Sequence, residues 1–140
     1  MEYEITEEQS KVINDNLNEE FASWFRKAQS DLRKVELLMN GKEYDGALFY
    51  AQQSAEKALK ALHIFNGFGL IKTHELPSMC KKLKAPDNVL RCAIYLNPFE
   101  KLSRYPDEED VLFNEDSAKE ALRLAKEVLG WCKLSKKISE

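Results

Sequence analysis

Along most of the chain apolar residues recur at three- and four-residue intervals, the signature of helices with one buried stripe. Residues 21–39 place Phe21, Trp24, Phe25, Ala28, Leu32, Val35, Leu38 and Met39 on such a stripe, and Asn40-Gly41 marks its end. Asp45 is predicted to cap a long second helix whose apolar line is Ala47, Leu48, Ala51, Ala55, Ala58, Leu59 and Leu62. So many alanines let a neighbouring helix approach closely, which places this helix deep in a bundle or on a close dimer contact. Gly67 and Gly69 end it. Thr73 is then predicted to cap a short third helix carrying Leu76, Met79, Cys80 and Leu83, with Pro77 tolerated in its first turn. After the break at Ala85-Pro86-Asp87, a fourth helix is expected over about 87–103, kinked or split by Pro98. Residues 104–113 read as a loop, and Asn114 to about Lys137 as the last helix, with Ala118, Ala121, Leu122, Ala125, Val128, Leu129, Cys132 and Leu134 facing inward. No stretch alternates as a strand does. The predicted fold is all-α, an up-and-down antiparallel bundle of about five helices over residues 21–138. Residues 1–20 have few apolar positions (Tyr3, Ile5, Val12, Ile13, Leu17) and are expected to form a peripheral helix or an arm.

Composition narrows this picture. A chain of 140 residues, 44% of them hydrophobic, buries about 68–70% of its unfolded surface, enough for one core and not two. No apolar run reaches the roughly 20 residues of a membrane span, and the acidic amino terminus is unlike a signal peptide, so a cytoplasmic protein is expected. Cys80, Cys92 and Cys132 lack a C-x-x-C spacing and the two histidines lie eleven apart. The expectation is buried, reduced thiols, with no metal and no cofactor. The formal charge of −3 hides a gradient: residues 1–20 carry seven acids and one base, leaving the remainder net positive. Residues 56–104 hold nine bases against four acids, followed at once by the acidic run Asp107–Asp110. A phosphate-binding footprint is therefore compatible with the charge but confined, well short of a strongly basic nucleic-acid binder. Deleting residues 1–20 is predicted to strengthen anion binding.

No nucleophile elbow, phosphate-binding glycine loop or triad spacing is present, and no catalytic residue is assigned. Three groups can carry chemistry. Gln53, Glu56, Lys57 and Lys60 share one polar flank of the second helix, able to hydrogen-bond a base or phosphate. Glu56 and Lys60 also match an ordinary i,i+4 salt bridge. His74 is expected in the first turn of the third helix, with Lys72 and Thr73 alongside, where free backbone N–H groups attract an anion; the alternative is a helix-start motif with a structural imidazole. Arg104 and Tyr105 offer a fork of donors and a stacking surface, or else stitch a loop to the bundle.

Taken in order, these groups resemble a HEPN domain. The matching residues are Ala28-x-x-Asp31-Leu32 with Leu37-Leu38, Tyr44-Asp45-Gly46-Ala47, the run Gln52-Gln53-Ser54-Ala55-Glu56-Lys57-Ala58-Leu59-Lys60-Ala61, Thr73-His74-Glu75-Leu76 and Arg104-Tyr105-Pro106-Asp107. The resemblance spans about 21–135. It implies a bundle that commonly forms a homodimer, and a nucleotide- or RNA-phosphate-binding partner of a minimal nucleotidyltransferase in toxin–antitoxin-like systems. Many relatives of that superfamily are metal-independent ribonucleases using an Arg and a His four to six residues apart. This chain departs from that pattern, because neither His63 nor His74 has an arginine at that distance upstream and no histidine follows Arg91 or Arg104. A non-catalytic binding subunit is the leading expectation. A ribonuclease with a rearranged site, such as His74 with Arg104, and a purely structural dimerisation module are the alternatives.

Overall fold

The computed structural model describes residues 4–103 and 113–140, so Arg104 and Tyr105 lie outside the described residues. Among the described residues every regular element is helical. They are α1 (Glu7–Asn40), α2 (Tyr44–Phe65), α3 (Leu76–Lys82), α4 (Asp87–Leu96), α5 (Phe99–Leu102) and α6 (Glu115–Ser139). Pro98 splits the expected fourth helix into α4 and the single turn α5, the division its missing N–H favours.

The core is built around α2. Its alanines Ala47, Ala51, Ala55, Ala58 and Ala61 are all fully buried, and so are Leu48 and Leu59. Three contacts fix α1 antiparallel to it: Phe21 meets Phe65 edge-on at 5.9 Å, Ser54 Oγ donates to the Ala28 carbonyl at 2.7 Å, and Gly46 lies under Leu38. A Cβ at Gly46 would sit 3.1 Å from Leu38 Cδ1, so this glycine permits the close approach. Helix α6 runs antiparallel to α1, with Lys126 paired to Glu36 at 3.4 Å and Lys136 over the Phe21 ring. Helix α4 runs antiparallel to α6, its Cys92 meeting Glu127 and its Tyr95 the Ser117 carbonyl. The four long helices thus alternate up and down, with α3 bridging α2 and α4.

The predicted helix ends need four corrections. Helix α1 begins at Glu7, not Phe21, because Thr6 and Gln9 form a reciprocal capping box and Glu7 and Glu8 complement the positive end of the helix. Residues 7–20 are therefore helical, although the buried face of α1 starts only at Phe21. The α1–α2 turn does follow Asn40, but its left-handed residue is Lys42 (φ 60°), while Gly41 is right-handed. Glu43, not Asp45, precedes α2; Asp45 sits inside the first turn, where its charge still faces the helix dipole. Helix α3 starts at Leu76 behind Glu75, not at Thr73. The Leu76 N–H is taken by Asn97 Oδ1 at 2.9 Å, and Thr73 Oγ1 instead accepts the Glu75 N–H at 3.1 Å.

Candidate functional site

The polar flank foreseen on α2 is an interior feature. Glu56 is 3% exposed and Lys60 8%, since both face the neighbours of the helix that the bundle buries most completely. Removing two charges from water is costly unless each finds partners, and here both do. Glu56 Oε2 accepts from Lys60 Nζ at 3.0 Å, and Oε1 accepts from Gln52 Nε2 at 3.3 Å. The Lys60 ammonium also lies 5.8 Å from the centroid of the Trp24 ring, within cation–π range. Burial separates this pair from a surface i,i+4 bridge worth a few tenths of a kcal/mol: both charges have lost water, so removing one partner alone is costly.

His74 completes the group. Its Nδ1 is 3.0 Å from Glu56 Oε1. A carboxylate only accepts, so Nδ1 carries a proton and Nε2 is left to the surface, an acceptor in the neutral ring and a donor in the imidazolium. The His74 side chain is 61% exposed against 4% for Glu56. A carboxylate anchored in the core thus orients an imidazole at the surface. His74 precedes α3, so its position comes from Glu56 and not from the first turn of a helix. Lys72, two residues before it, is exposed and has no ion pair among the described residues.

Lys57 turns the other way. It pairs with Asp31 of α1, which is 2% exposed and also holds Lys34 at 3.2 Å. Gln53 Nε2 donates to Gln52 Oε1 at 2.7 Å, so it supports the glutamine that contacts Glu56. The structure brings together Gln53, Glu56, Lys60 and His74, keeps Lys57 in a separate pair, and leaves Lys72, two residues before His74, without an ion pair among the described residues. Asp31 has a faint signal, a lone acid between Ala28, Leu32 and Val35 in the apolar stripe. His63 has none. It is 3% exposed, and its Nδ1 donates to the Gly69 carbonyl at 2.6 Å. Its Nε2 is buried without a hydrogen-bond partner among the described residues.

Elsewhere the chemistry is closed. Cys80, Cys92 and Cys132 are free and buried, as expected from their spacing. Burial pushes the Cys80 thiol up to about 11 and the Cys132 thiol well above its ordinary value. Burial, then a hydrogen bond to Glu127, pushes Cys92 to about 12. Such thiols are poor nucleophiles. Among the described residues no group of three or more His, Cys, Asp or Glu is placed to hold a metal ion, and no helix is long and apolar enough to cross a membrane.

Comparison with known proteins agrees with this architecture. A family model described as the HEPN domain matches residues 21–136. The crystal structure of ST0689, an archaeal HEPN homologue, superposes with a TM-score of 0.72 at 30% identity, covering 83% of this chain and 97% of that one. The crystal structure of TT1696 from Thermus thermophilus gives 0.75 at 27% identity, again covering 83% and 97%. No curated protein matches the chain.

Proposed function

The chain belongs to the HEPN family, and from that premise we propose that it is a nucleotide- or RNA-phosphate-binding subunit, a homodimer that partners a minimal nucleotidyltransferase in a toxin–antitoxin-like system. The observation that carries the binding half of this reading is the His74–Glu56 pair. A surface imidazole held by a buried carboxylate presents Nε2 in a fixed direction, where the protonated ring donates to a phosphate oxygen, and Lys72, two residues before it, supplies an exposed positive charge. Arg104 and Tyr105 follow as a further donor and a stacking ring. Gln53, Glu56, Lys57 and Lys60 act behind them, holding α2 and α1 in register and keeping His74 oriented. The absence of an arginine four to six residues before either histidine supports binding over cleavage.

Each charge-assisted phosphate contact contributes about 1.5–3 kcal/mol. Two or three of them, set against several kcal/mol for immobilising a ligand, give micromolar to millimolar affinity. Calorimetric titration of ATP, GTP and short RNA into the full chain tests this. His74→Ala and Lys72→Ala are expected to weaken binding about tenfold each, and a wild-type chain that takes up none of the three overturns the binding reading. Whether a neighbouring reading frame encodes a minimal nucleotidyltransferase, and whether the two proteins co-purify, tests the partner; the absence of such a frame, or failure of the two to associate, removes that half alone.

A second reading, ribonuclease with a rearranged site, is favoured by one observation: a carboxylate-oriented imidazole with Nε2 free is the arrangement of a general base. Incubating the protein with RNA in EDTA separates the two. Cleavage lost in His74→Ala establishes the second reading, and intact RNA under the same conditions rejects it.

A further inference from the structure

Helix α1 has 34 residues, about 51 Å at 1.5 Å per residue, and its first fourteen, Glu7–Glu20, bury no side chain in the bundle. This overhang carries five acids and one base, Lys11. It also exposes Val12 (58%) and Ile13 (47%), with Ile5 (59%) just before it. A helix of this length standing alone in water is marginal. At the point where it leaves the bundle lies a groove of about 460 Å³ between α1 and α6. Buried Phe21 and Phe25, stacked at 5.3 Å, form its floor, and Arg26, Lys133, Lys136 and Lys137 line its rim. Lys136 is paired with Glu140. Arg26, Lys133 and Lys137 are exposed and have no ion pair among the described residues.

The two charged regions share one helix face. Glu8, Asp15, Asn18, Ala22 and Arg26 follow at steps of three, four or seven residues, which keeps them on one side of α1. Before Asn18 that side carries Glu8, Asp15 and the one base Lys11, so it is net acidic, and after Ala22 it carries Arg26, where α6 adds its lysines. Such a face repels a parallel copy of itself and matches an antiparallel one, because a two-fold axis crossing α1 near Asn18 lays each acidic half on the other's basic half.

We propose that this face is the homodimer contact: the acidic overhang of each copy docks along the basic α1–α6 groove of a second copy, covering Ile5 and Val12 as it does so. The proposal rests on the homodimer part of the function proposed above and is independent of nucleotide binding. Sedimentation of the full chain with two charge-swapped forms tests it. One carries Glu8→Lys and Asp15→Lys, the other Arg26→Glu, Lys133→Glu and Lys137→Glu, all at exposed positions, with circular dichroism confirming unchanged helicity. The wild type should sediment as a dimer that weakens with salt. Each swapped form alone should dissociate at concentrations at least about tenfold higher than the wild type, and an equimolar mixture should recover the dimer. A dimer unmoved by both swaps, or a mixture that fails to recover it, overturns the contact while leaving the homodimer reading intact. A monomer at every concentration overturns both, and neither result bears on the calorimetric test of nucleotide binding.

Discussion

At the scale of single residues the molecule is defined by the charges it buries. Glu56 is held by Lys60, Gln52 and His74, and Asp31 by Lys57 and Lys34. Breaking such a pair costs more than deleting it. Glu56→Ala should therefore destabilise the protein by about 3–5 kcal/mol in urea unfolding, because Lys60 stays buried without its counter-charge, whereas Glu56→Leu with Lys60→Met should recover most of that loss. A single substitution costing under about 1 kcal/mol would contradict the buried pair. The thiols give a pH prediction. Their folded values, about 11 for Cys80 and about 12 for Cys92, stand above the ordinary 9.0, so the unfolded chain releases these protons first. Their contribution is complete below about pH 9 and is lost as pH rises through 11 to 12. Urea midpoints should fall between pH 8 and pH 10.5, and less steeply in Cys80→Ala; a flat profile contradicts it. Spacing alone made Glu56 and Lys60 neighbours, but not interior, because burial depends on helices far away in sequence. The link from Glu56 to His74 crosses eighteen residues, and no local pattern encodes it.

At the scale of helices, periodicity was enough to find the elements and most of their inward faces; on α6 it misplaced Leu134, which is 56% exposed near the end of the helix, and passed over Leu124, which is buried. The alanines of α2 and the stripe from Phe21 to Met39 read directly as buried surfaces, and Pro98 as a break. What periodicity missed were starts set by side-chain chemistry or by a distant partner. The capping box at Thr6 and Gln9 extends α1 by fourteen residues that have no buried stripe to announce them. Asn97 decides where α3 begins, from twenty-one residues away. Two outcomes test this account. Ala55→Leu, at a site with no exposure, should overpack the α2 interfaces and lower stability by about 1–3 kcal/mol or more in thermal unfolding. Asn97→Ala should cost about 1–2 kcal/mol, since it strands the Leu76 N–H and releases Glu75, which Asn97 Nδ2 contacts at 2.9 Å. An unchanged midpoint in either variant contradicts the packing described.

At the scale of the whole molecule, charge is sorted in space as well as in sequence. Residues 7–20 of the acidic opening form a helical overhang, so their field acts from a fixed direction on whatever approaches that end of the bundle. The bundle supplies a scaffold, a buried carboxylate inside it, Glu56, and one histidine oriented at its surface, His74. Whether that histidine meets a phosphate is the central claim. The most direct measurement is calorimetric titration of short RNA and ATP into the full-length wild type and into His74→Ala at the same ionic strength. Micromolar to millimolar binding by the wild type, weakened about tenfold in the variant, is the predicted result; no heat of binding with the wild type, or equal affinity in the two proteins, would contradict it.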